Sequence, residues 1–528
     1  MRIGVPPNFA MIDMPPVSLR LPPESPAGRV VREVDRWTDW VFGAAHNPVR
    51  QLGALAVLML WVALGTGAYL YIMFETSAVG AYASVDSLST SQRWSGGLIR
   101  SLHRYGSDAF ALFTALHVLR EWALGKYSGF RWFSWVSGVP LLWLALASGL
   151  IGYWLVSDTR ALFVATGIGE WVGAVPGFGA GIMRNFITAD AVSDRLFSLL
   201  IFLHIGTALF ILLGLWIHLQ RIVRAATQPA RSTAVWAAIT LITLCLLVPA
   251  VSQAPADFSR IAPWVPIDWF YLGIFPLMHA SSPAALWLLA IAGSLLLLVL
   301  PWTKRTKRPA PAVVDLANCN GCGRCFDDCP YGAVVMAPRL DGRRHMVQAV
   351  VQNDLCASCG ICVGACPSST PFRSVQQLIT GIDLPNLPLS GIRDEVQAAL
   401  RRQPGATLVF GCDHGADITL LQSTDRINIS LPCSGMLPPS FTEFALRHGA
   451  ARVVIASCGE HACSYRLGGQ WTHDRLQGLR EPALRERERG PQVQLLHAQK
   501  GQEAQLHNQL VEIETSPRIG ASTDSHHV

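Results

Sequence analysis

Apolar residues gather into long runs near 52–74, 107–124, 134–156, 196–222, 233–251 and 284–302. Each approaches or exceeds the ~20 residues that a helix needs to cross a ~30 Å hydrocarbon core, so the pattern predicts six membrane spans. Ahead of them, Val30 to Phe42 sets Arg32, Glu33, Asp35 and Arg36 beside Val30, Val34, Trp37 and Trp40. That alternation suits an amphipathic helix lying along the membrane interface, with an ordinary polar lead-in as the plainer alternative. Beyond residue 303 the long runs stop. Short apolar segments at Thr407–Phe410, Asn428–Leu431 and Arg452–Ala456 predict strands, Phe441–His448 predicts a helix, and together they predict a small α/β unit. From about Gly501 the chain turns polar and is expected to be loose.

Composition sharpens the division. With 51% hydrophobic and 15% charged residues among 528, and a mean hydropathy of +0.32, a single soluble globule is excluded. Of the 13 cysteines, Cys245 alone lies in the apolar part, and the rest follow from Cys319 onward. The expected domains are an N-terminal extension at 1–51, a membrane domain at 52–303, a basic linker at 304–312, a cysteine-dense module at 313–373, a connector at 374–404, an α/β domain at 405–500 and a polar tail at 501–528. The net charge of +6 is small for this length, and the basic residues form no groove with interleaved aromatics, which argues against a nucleic-acid partner.

Residues 1–28 are proline-rich and lack the apolar core of a secretory signal, so insertion is expected to rely on the first membrane helix. With the N-terminus inside, the cytoplasmic connections carry Arg120, Lys126 and Arg131, then Arg221, Arg224 and Arg231, then Lys304, Arg305, Lys307 and Arg308. Lys and Arg favour that side, which puts everything after residue 303 in the cytoplasm, as free thiols rather than disulfides.

His103 and His117 lie 14 residues apart on the second span, and His204 and His218 lie 14 apart on the fourth. Fourteen residues nearly restore the same helix face and cover ~21 Å, so each helix presents two imidazoles on one stripe. The second and fourth spans run in the same direction. His103 therefore levels with His204 and His117 with His218, and paired imidazoles on facing helices suit axial ligation of two haems. A haem between helices needs neighbouring backbones to stand back, which glycine permits. Gly53 and Gly67 on the first span and Gly138 and Gly152 on the third repeat the same 14-residue spacing, with small-residue helix packing as the other explanation.

These residues resemble the cytochrome b of respiratory and photosynthetic cytochrome bc complexes over about 30–302. The resemblance implies that Arg100, three residues before His103, faces a haem propionate. It also implies that the stretch Ala165 to Arg184 is similar to the surface helices where the family binds quinol. The family carries a glutamate in a Pro-Glu-Trp-Tyr motif at its quinol-oxidising site. The matching stretch here is Pro266-Ile267-Asp268-Trp269-Phe270, so Asp268 becomes the candidate acceptor of a quinol proton, or else an exposed loop acid. The family's final helices have no counterpart before the linker.

Cys319, Cys322, Cys325 and Cys329-Pro330 recur in spacing as Cys356, Cys359, Cys362 and Cys366-Pro367. Each run supplies three thiolates to one [4Fe–4S] cluster and its fourth to the other, which assigns Cys319, Cys322, Cys325 and Cys366 to one and Cys356, Cys359, Cys362 and Cys329 to its neighbour. Zinc needs no third cysteine at this interval. The arrangement resembles the α+β fold of bacterial two-cluster ferredoxins over 313–373.

Cys412, Cys433, Cys458 and Cys463 each follow an expected strand and can converge. The segment 405–475 resembles the delta-type iron–sulfur subunit of methyl-viologen-reducing hydrogenases. That resemblance implies a [2Fe–2S] cluster on these four thiolates, with zinc as the rival occupant. His414 and His461 adjoin the ligands and either tune the site or are simply solvated. Cys245 is expected to be a small core residue.

The expected architecture is an all-α haem bundle of six spans, then the ferredoxin fold, then the α/β iron–sulfur domain. The expected function is a membrane-bound electron-transfer subunit that links quinone or quinol, through two b-type haems, to the cytoplasmic clusters. The expected partners are membrane lipid, a soluble flavoprotein or dehydrogenase, a Rieske-type protein if the outer quinol site works, and a second copy in a homodimer. Two alternatives stay open: a quinone reductase fed from a cytoplasmic donor, and a membrane redox sensor or anchor subunit.

Overall fold

The computed structural model describes residues 25–175, 192–257, 259, 264–303, 309–342, 345–373, 378–459, 462–486 and 489–516. The expected linker residues 304–308, the end of the Ala165 to Arg184 stretch from residue 176, and His461 lie outside them. The chain divides into two compact units, one over Glu24–Lys307 and one from Arg308 onward.

The first unit opens with α1 (Pro26–Phe42). Ser25 Oγ accepts the Gly28 N–H, and Pro26 occupies the first turn, where an amide would have no partner. The inward face of α1 is polar, with Asp35 and Thr38 buried, while Trp37 and Trp40 are 63% and 82% exposed. An apolar side turned outward is what a helix lying on lipid needs. Both Nη atoms of Arg120 donate to Asp35, at 2.7 and 2.9 Å, and Arg50 donates to Asp39 at 3.0 and 2.6 Å. Arg120 is thus a buried anchor for α1 rather than a loop charge.

The helices that follow are α2 (Leu52–Met73), α3 (Gly80–Thr90), α4 (Gly96–Ala123), α5 (Trp132–Leu155), α6 (Thr159–Gly173), α7 (Asp194–Leu219), α8 (Arg231–Leu247), α9 (Ile274–Ala280) and α10 (Pro283–Thr303). Among the described residues, four helical stretches are long and apolar enough to cross a membrane: Pro48–Met73, Gly129–Leu155, Asp194–Leu219 and Pro283–Thr303. This corrects the expected six. The second expected span falls on α4, which has 28 residues but carries Arg100, Arg104, Asp108, Arg120 and Glu121. The fifth falls on α8, whose 17 residues reach about 26 Å, short of the hydrocarbon core.

α4 packs along α2, and α5 along α7. α8 closes on α2 through Met59, Leu241 and Cys245, so Cys245 is the small core residue the sequence suggests. Around α5, a second cluster gathers Tyr153, Val164, Trp171, Tyr271 and Phe275. Outward positions on α7 and α10, such as Phe202, Trp216, Leu288 and Leu296, are apolar and exposed. Such a surface suits hydrocarbon as its solvent.

In the second unit β1 (Val313–Val314) pairs antiparallel with β4 (Ile382–Asp383), and β2 (Val334–Pro338) with β3 (Val347–Val351). Between them lie α11 (Arg324–Asp328) and α12 (Ile361–Ala365). Each follows a glycine in the left-handed region, Gly323 at φ 78° and Gly360 at φ 76°. The two cysteine runs therefore fold alike. The connector contains α13 (Leu389–Arg402), which buries Leu389, Ile392, Val396 and Leu400 on one stripe.

Next, β5 (Thr407–Cys412), β6 (Arg426–Leu431), β7 (Arg452–Ser457) and β8 (Val493–His497) form a parallel sheet in the order β6-β5-β7-β8. α14 (Ser440–Arg447), α15 (Gly468–Gln477) and α16 (Glu503–Thr515) complete it. The three strands and the helix expected from sequence are present; β8, α15 and α16 are additional. α16 corrects the loose tail as far as Thr515. Its Leu506, Leu510 and Ile513 pack on Val409 and Val454 of the sheet, and Glu514 takes a bidentate pair from Arg426 at 2.7 and 2.8 Å.

Candidate functional site

His103 and His117 lie on α4, and His204 and His218 on α7. The rings of His103 and His204 meet edge-on with centroids 6.2 Å apart and planes inclined at 66°, and His117 neighbours His218 electrostatically. Each ring of the first pair is held from behind. His103 Nδ1 donates to the Ala63 carbonyl at 2.9 Å and His204 Nδ1 to the Ser148 carbonyl at 3.0 Å. A carbonyl only accepts, so the proton sits on Nδ1 and Nε2 keeps its lone pair. His218 Nδ1 lies 3.2 Å from Ser137 Oγ.

The four glycines serve these rings directly. A Cβ on Gly53, Gly67, Gly138 or Gly152 would stand 3.3, 3.1, 3.3 or 3.0 Å from Cε1 of His117, His103, His218 or His204. The sequence assigns this space to a cofactor, whereas the structure fills it with imidazole edges. Ala63 and Ser148 each precede a glycine of the set, Gly67 and Gly152, by one helical turn, so α2 with α4 repeats the arrangement of α5 with α7.

Haem fits this donor set. Two imidazoles bound to one metal at about 2.0–2.1 Å put their centroids roughly 6 Å apart, close to the observed separation. Arg100 is buried near His103, and its guanidinium donates only to neutral acceptors among the described residues: the Val85 carbonyl at 3.2 Å and the Ser89 and Ser252 hydroxyls at 2.9 Å. Asp158 and Asp86 lie within electrostatic reach but accept none of these bonds, so the buried guanidinium is suited to an anionic propionate.

Asp268 is 9% exposed, so the exposed-loop-acid alternative is set aside. The Tyr153 hydroxyl donates to Oδ2 at 2.6 Å, the Phe270 N–H donates to Oδ1 at 2.9 Å, and Arg104 Nη2 lies 3.3 Å from Oδ2. Arg104 also pairs with Asp108 one turn along α4, and the carboxyl of Asp108 neighbours Asp268. Beside them, the Tyr271 hydroxyl donates to the Ser107 carbonyl at 2.9 Å. Sequence reasoning missed Arg104, Asp108 and Tyr153. A signal existed: an acid four residues after a base, inside a helix that carries haem-ligand candidates, is a pair to be explained.

In the second unit Cys319, Cys322, Cys325 and Cys366 line one cavity with Gly321, Met336 and Ile382. The fourth cysteine of the second run thus crosses to the first. Cys329 in turn lies with Cys356, Cys359 and Cys362. Backbone amides point at the sulfurs, with the Ala333 N–H 3.3 Å from Cys329 Sγ and the Ser358 N–H 3.4 Å from Cys356 Sγ. Burial, then the sulfurs of Cys366, Cys322 and Cys319, push the Cys325 thiol up to about 12, and burial raises Cys359 and Cys362 as well. Thiols that resist ionisation together call for positive charge among them, which an iron–sulfur cluster supplies.

The last four cysteines also converge. In a parallel sheet, adjacent strands end at the same edge. Cys412 ends β5, Cys433 follows β6 and Cys458 follows β7, all buried, and Cys463 comes from the loop before α15. Cys412 Sγ and Cys458 Sγ are 3.7 Å apart, and Cys433 and Cys463 complete a ring of sulfur contacts. Hydrogen bonds from Cys433 and Cys458 hold the Cys412 thiol below its usual range. No three donors are set at the spacing of a single ion among the described residues. His414 packs edge-on against Tyr465, with ring centroids 4.9 Å apart.

Residues 41–226 match the family model for Cytochrome b/b6/petB. They include the four histidines and four glycines; Asp268 lies beyond them. Residues 318–370 match the 4Fe-4S dicluster domain, and residues 412–516 match the delta subunit of methyl-viologen-reducing hydrogenase, in the order the resemblances imply. The last match reaches through α16. The chain is 31% identical over 157 residues to cytochrome b of Akanthomyces muscarius, covering 29% of this chain and 40% of that one. It is 29% identical over 167 residues to cytochrome b6 of Chlamydomonas reinhardtii, covering 31% of this chain and 77% of that one. The chain thus spans well under half of that fungal cytochrome b. A solved chain of "Hyperthermophilic respiratory Complex III" is similar over 48% of this chain and 74% of that one, at a TM-score of 0.39 and 17% identity. The cytochrome b-like region implies haem and the ferredoxin-like region implies [4Fe–4S] clusters.

Proposed function

We propose that this chain is a membrane electron-transfer subunit that exchanges electrons between quinol or quinone and a soluble redox protein. The observation that carries the reading is the adjacent pair His103 and His204, each with Nδ1 tied to a carbonyl and Nε2 free. His103 with His204, and His117 with His218, hold two b-type haems. The two crossed cysteine sets hold [4Fe–4S] clusters, and Cys412, Cys433, Cys458 and Cys463 hold a [2Fe–2S] cluster. When bound, these groups supply one-electron oxidation and reduction.

The protein's own side chains do the rest. The carbonyls of Ala63 and Ser148 fix the tautomer and aim of the imidazoles. Arg100 supplies a cation beside His103. Asp268 accepts a quinol proton, its carboxylate held in place by the Phe270 N–H at Oδ1 and by Tyr153 and Arg104 at Oδ2. α4 packs in the bundle with its charges met from within, Arg104 by Asp108 and Asp268 and Arg120 by Asp35. The N-terminus and the cysteine domains then lie on the cytoplasmic side, where a flavoprotein or dehydrogenase docks. A Rieske-type protein and a second copy of the chain belong to the same reading.

The test is a quinol pulse on purified, membrane-reconstituted protein, with metal and haem analysis of the same sample. Two haems per chain, iron in all three cysteine sets and haem reduction within the pulse are expected. Absence of haem, or haem that quinol does not reduce, rejects the function.

A further inference from the structure

Two of the cysteine sets share a wall. Ile361, between Cys359 and Cys362, packs on Cys433 and Trp471, with Tyr465 and Leu467 closing the contact. The backbones touch. A Cβ on Gly364 would overlap the Gly435 carbonyl, one on Gly435 would stand 3.0 Å from Gly468 Cα, and one on Gly468 would overlap Cys433 Sγ. Cys359 and Cys463 are close enough for their charges to interact, as are Cys362 and Cys325. In the Cys319 set, by contrast, Cys322 is exposed. The Cys356 set therefore lies between the other two.

One buried guanidinium ties the wall together. Arg475 on α15 is 1% exposed. Its Nη1 donates to the Gly435 carbonyl at 2.8 Å, and its Nη2 donates to the Ile361 carbonyl at 3.4 Å and pairs with Asp328. Asp328, directly before Cys329, also takes Arg480 Nε at 2.7 Å, and its carbonyl accepts Trp471 Nε1 at 3.2 Å. Arg475 thus touches the backbone beside Cys362, the carboxylate beside Cys329 and the turn after Cys433. A planar, always-charged fork is the side chain that can bind three such acceptors at once.

We propose that Arg475 is a positioning residue for electron transfer between the group held by Cys356, Cys359, Cys362 and Cys329 and the group held by Cys412, Cys433, Cys458 and Cys463. The proposal rests on reading both as iron–sulfur sites. The step moves one electron: the donor is oxidised by one, the acceptor is reduced by one, and no bond is made or broken. Arg475 fixes the approach of the two sites, and its charge, lying beside both, favours the reduced and more negative state of each.

The experiment uses the full chain in lipid discs, as wild type, Arg475→Gln and Arg475→Lys, with metal analysis first. The protein is reduced by a light pulse through a photoreductant, and the clusters are followed by freeze-quench electron paramagnetic resonance. Arg475→Gln is expected to keep its iron, to slow passage to the Cys412 set about 10–100-fold, as loss of an outer-shell partner does, and to lower both midpoint potentials. Arg475→Lys restores the potentials but not the full rate. If Arg475→Gln loses iron, Arg475→Lys decides, together with the fully reduced wild type, whose signals from the two neighbouring centres should be split by their magnetic interaction. Full iron with unchanged rate and potentials in Arg475→Gln, an unimpaired rate in Arg475→Lys, or unsplit wild-type signals overturns the proposal. Zinc in the Cys412 set, or no iron in the Cys356 set, ends the underlying reading and the proposal with it, and shows in the metal analysis before any rate is measured.

Discussion

Gly67 and His103 meet across two helices with no room for a methyl group between them: a Cβ on the glycine would stand 3.1 Å from Cε1 of the ring. Gly67→Ala should therefore push the ring off its line to His204 and cost about 1–3 kcal/mol in overpacking. Gly65, two residues away and on the opposite side of α2, has nothing within 4 Å of such a Cβ, so Gly65→Ala is the control. Reduced-minus-oxidised spectra and pyridine haemochrome analysis should show a shifted or diminished haem band in Gly67→Ala and an unchanged one in Gly65→Ala.

The two histidine levels are separate sites. His103→Leu should remove one haem and His117→Leu the other, each taking the haem-to-protein ratio from two to one while iron in the cysteine sets stays constant. A ratio unmoved by either change would contradict axial ligation.

Asp268 is held by Tyr153 and Arg104 inside the bundle. Asp268→Asn preserves shape and removes the base, so quinol-dependent haem reduction should slow by about 10²–10⁴-fold, the usual worth of a positioned general base. Tyr153→Phe should slow it less, since it removes only a hydrogen bond. Stopped-flow traces at the haem band check both, and an unchanged rate in Asp268→Asn would remove this residue from the quinol site.

Asp35 meets Arg120 in a buried bidentate pair that anchors α1. Asp35→Ala leaves the guanidinium buried and unpaired, at a cost of about 3–5 kcal/mol. Thermal melts followed by haem absorbance should show that loss, and removing Arg120 as well should recover part of it. A melting temperature equal to wild type would mean that the pair contributes nothing.

The haem-ligand candidates were legible because fourteen residues is close to a whole number of helical turns, and the crossing of Cys366 to the first set because the spacing of the two runs imposes it. What escaped is what depends on distant partners. α4 starts at Gly96 although its apolar run starts later, because Arg100 and Arg104 find partners outside the helix and Asp108 pairs with Arg104 along it. α16 escaped because polar residues outnumber Leu506, Leu510 and Ile513 along it, and only the sheet reveals their common stripe. Arg475 and Asp328 are separated by 147 residues, and no local pattern marks them as a pair.

The wall between the Cys356 and Cys412 sets also constrains heredity. Modules strung together by a pliant tether can be traded between genes one at a time, whereas here Gly364, Gly435, Gly468 and Arg475 match faces on both sides of a seam. A foreign ferredoxin segment spliced in at the connector would have to bring a face that fits Gly435, Gly468 and Arg475.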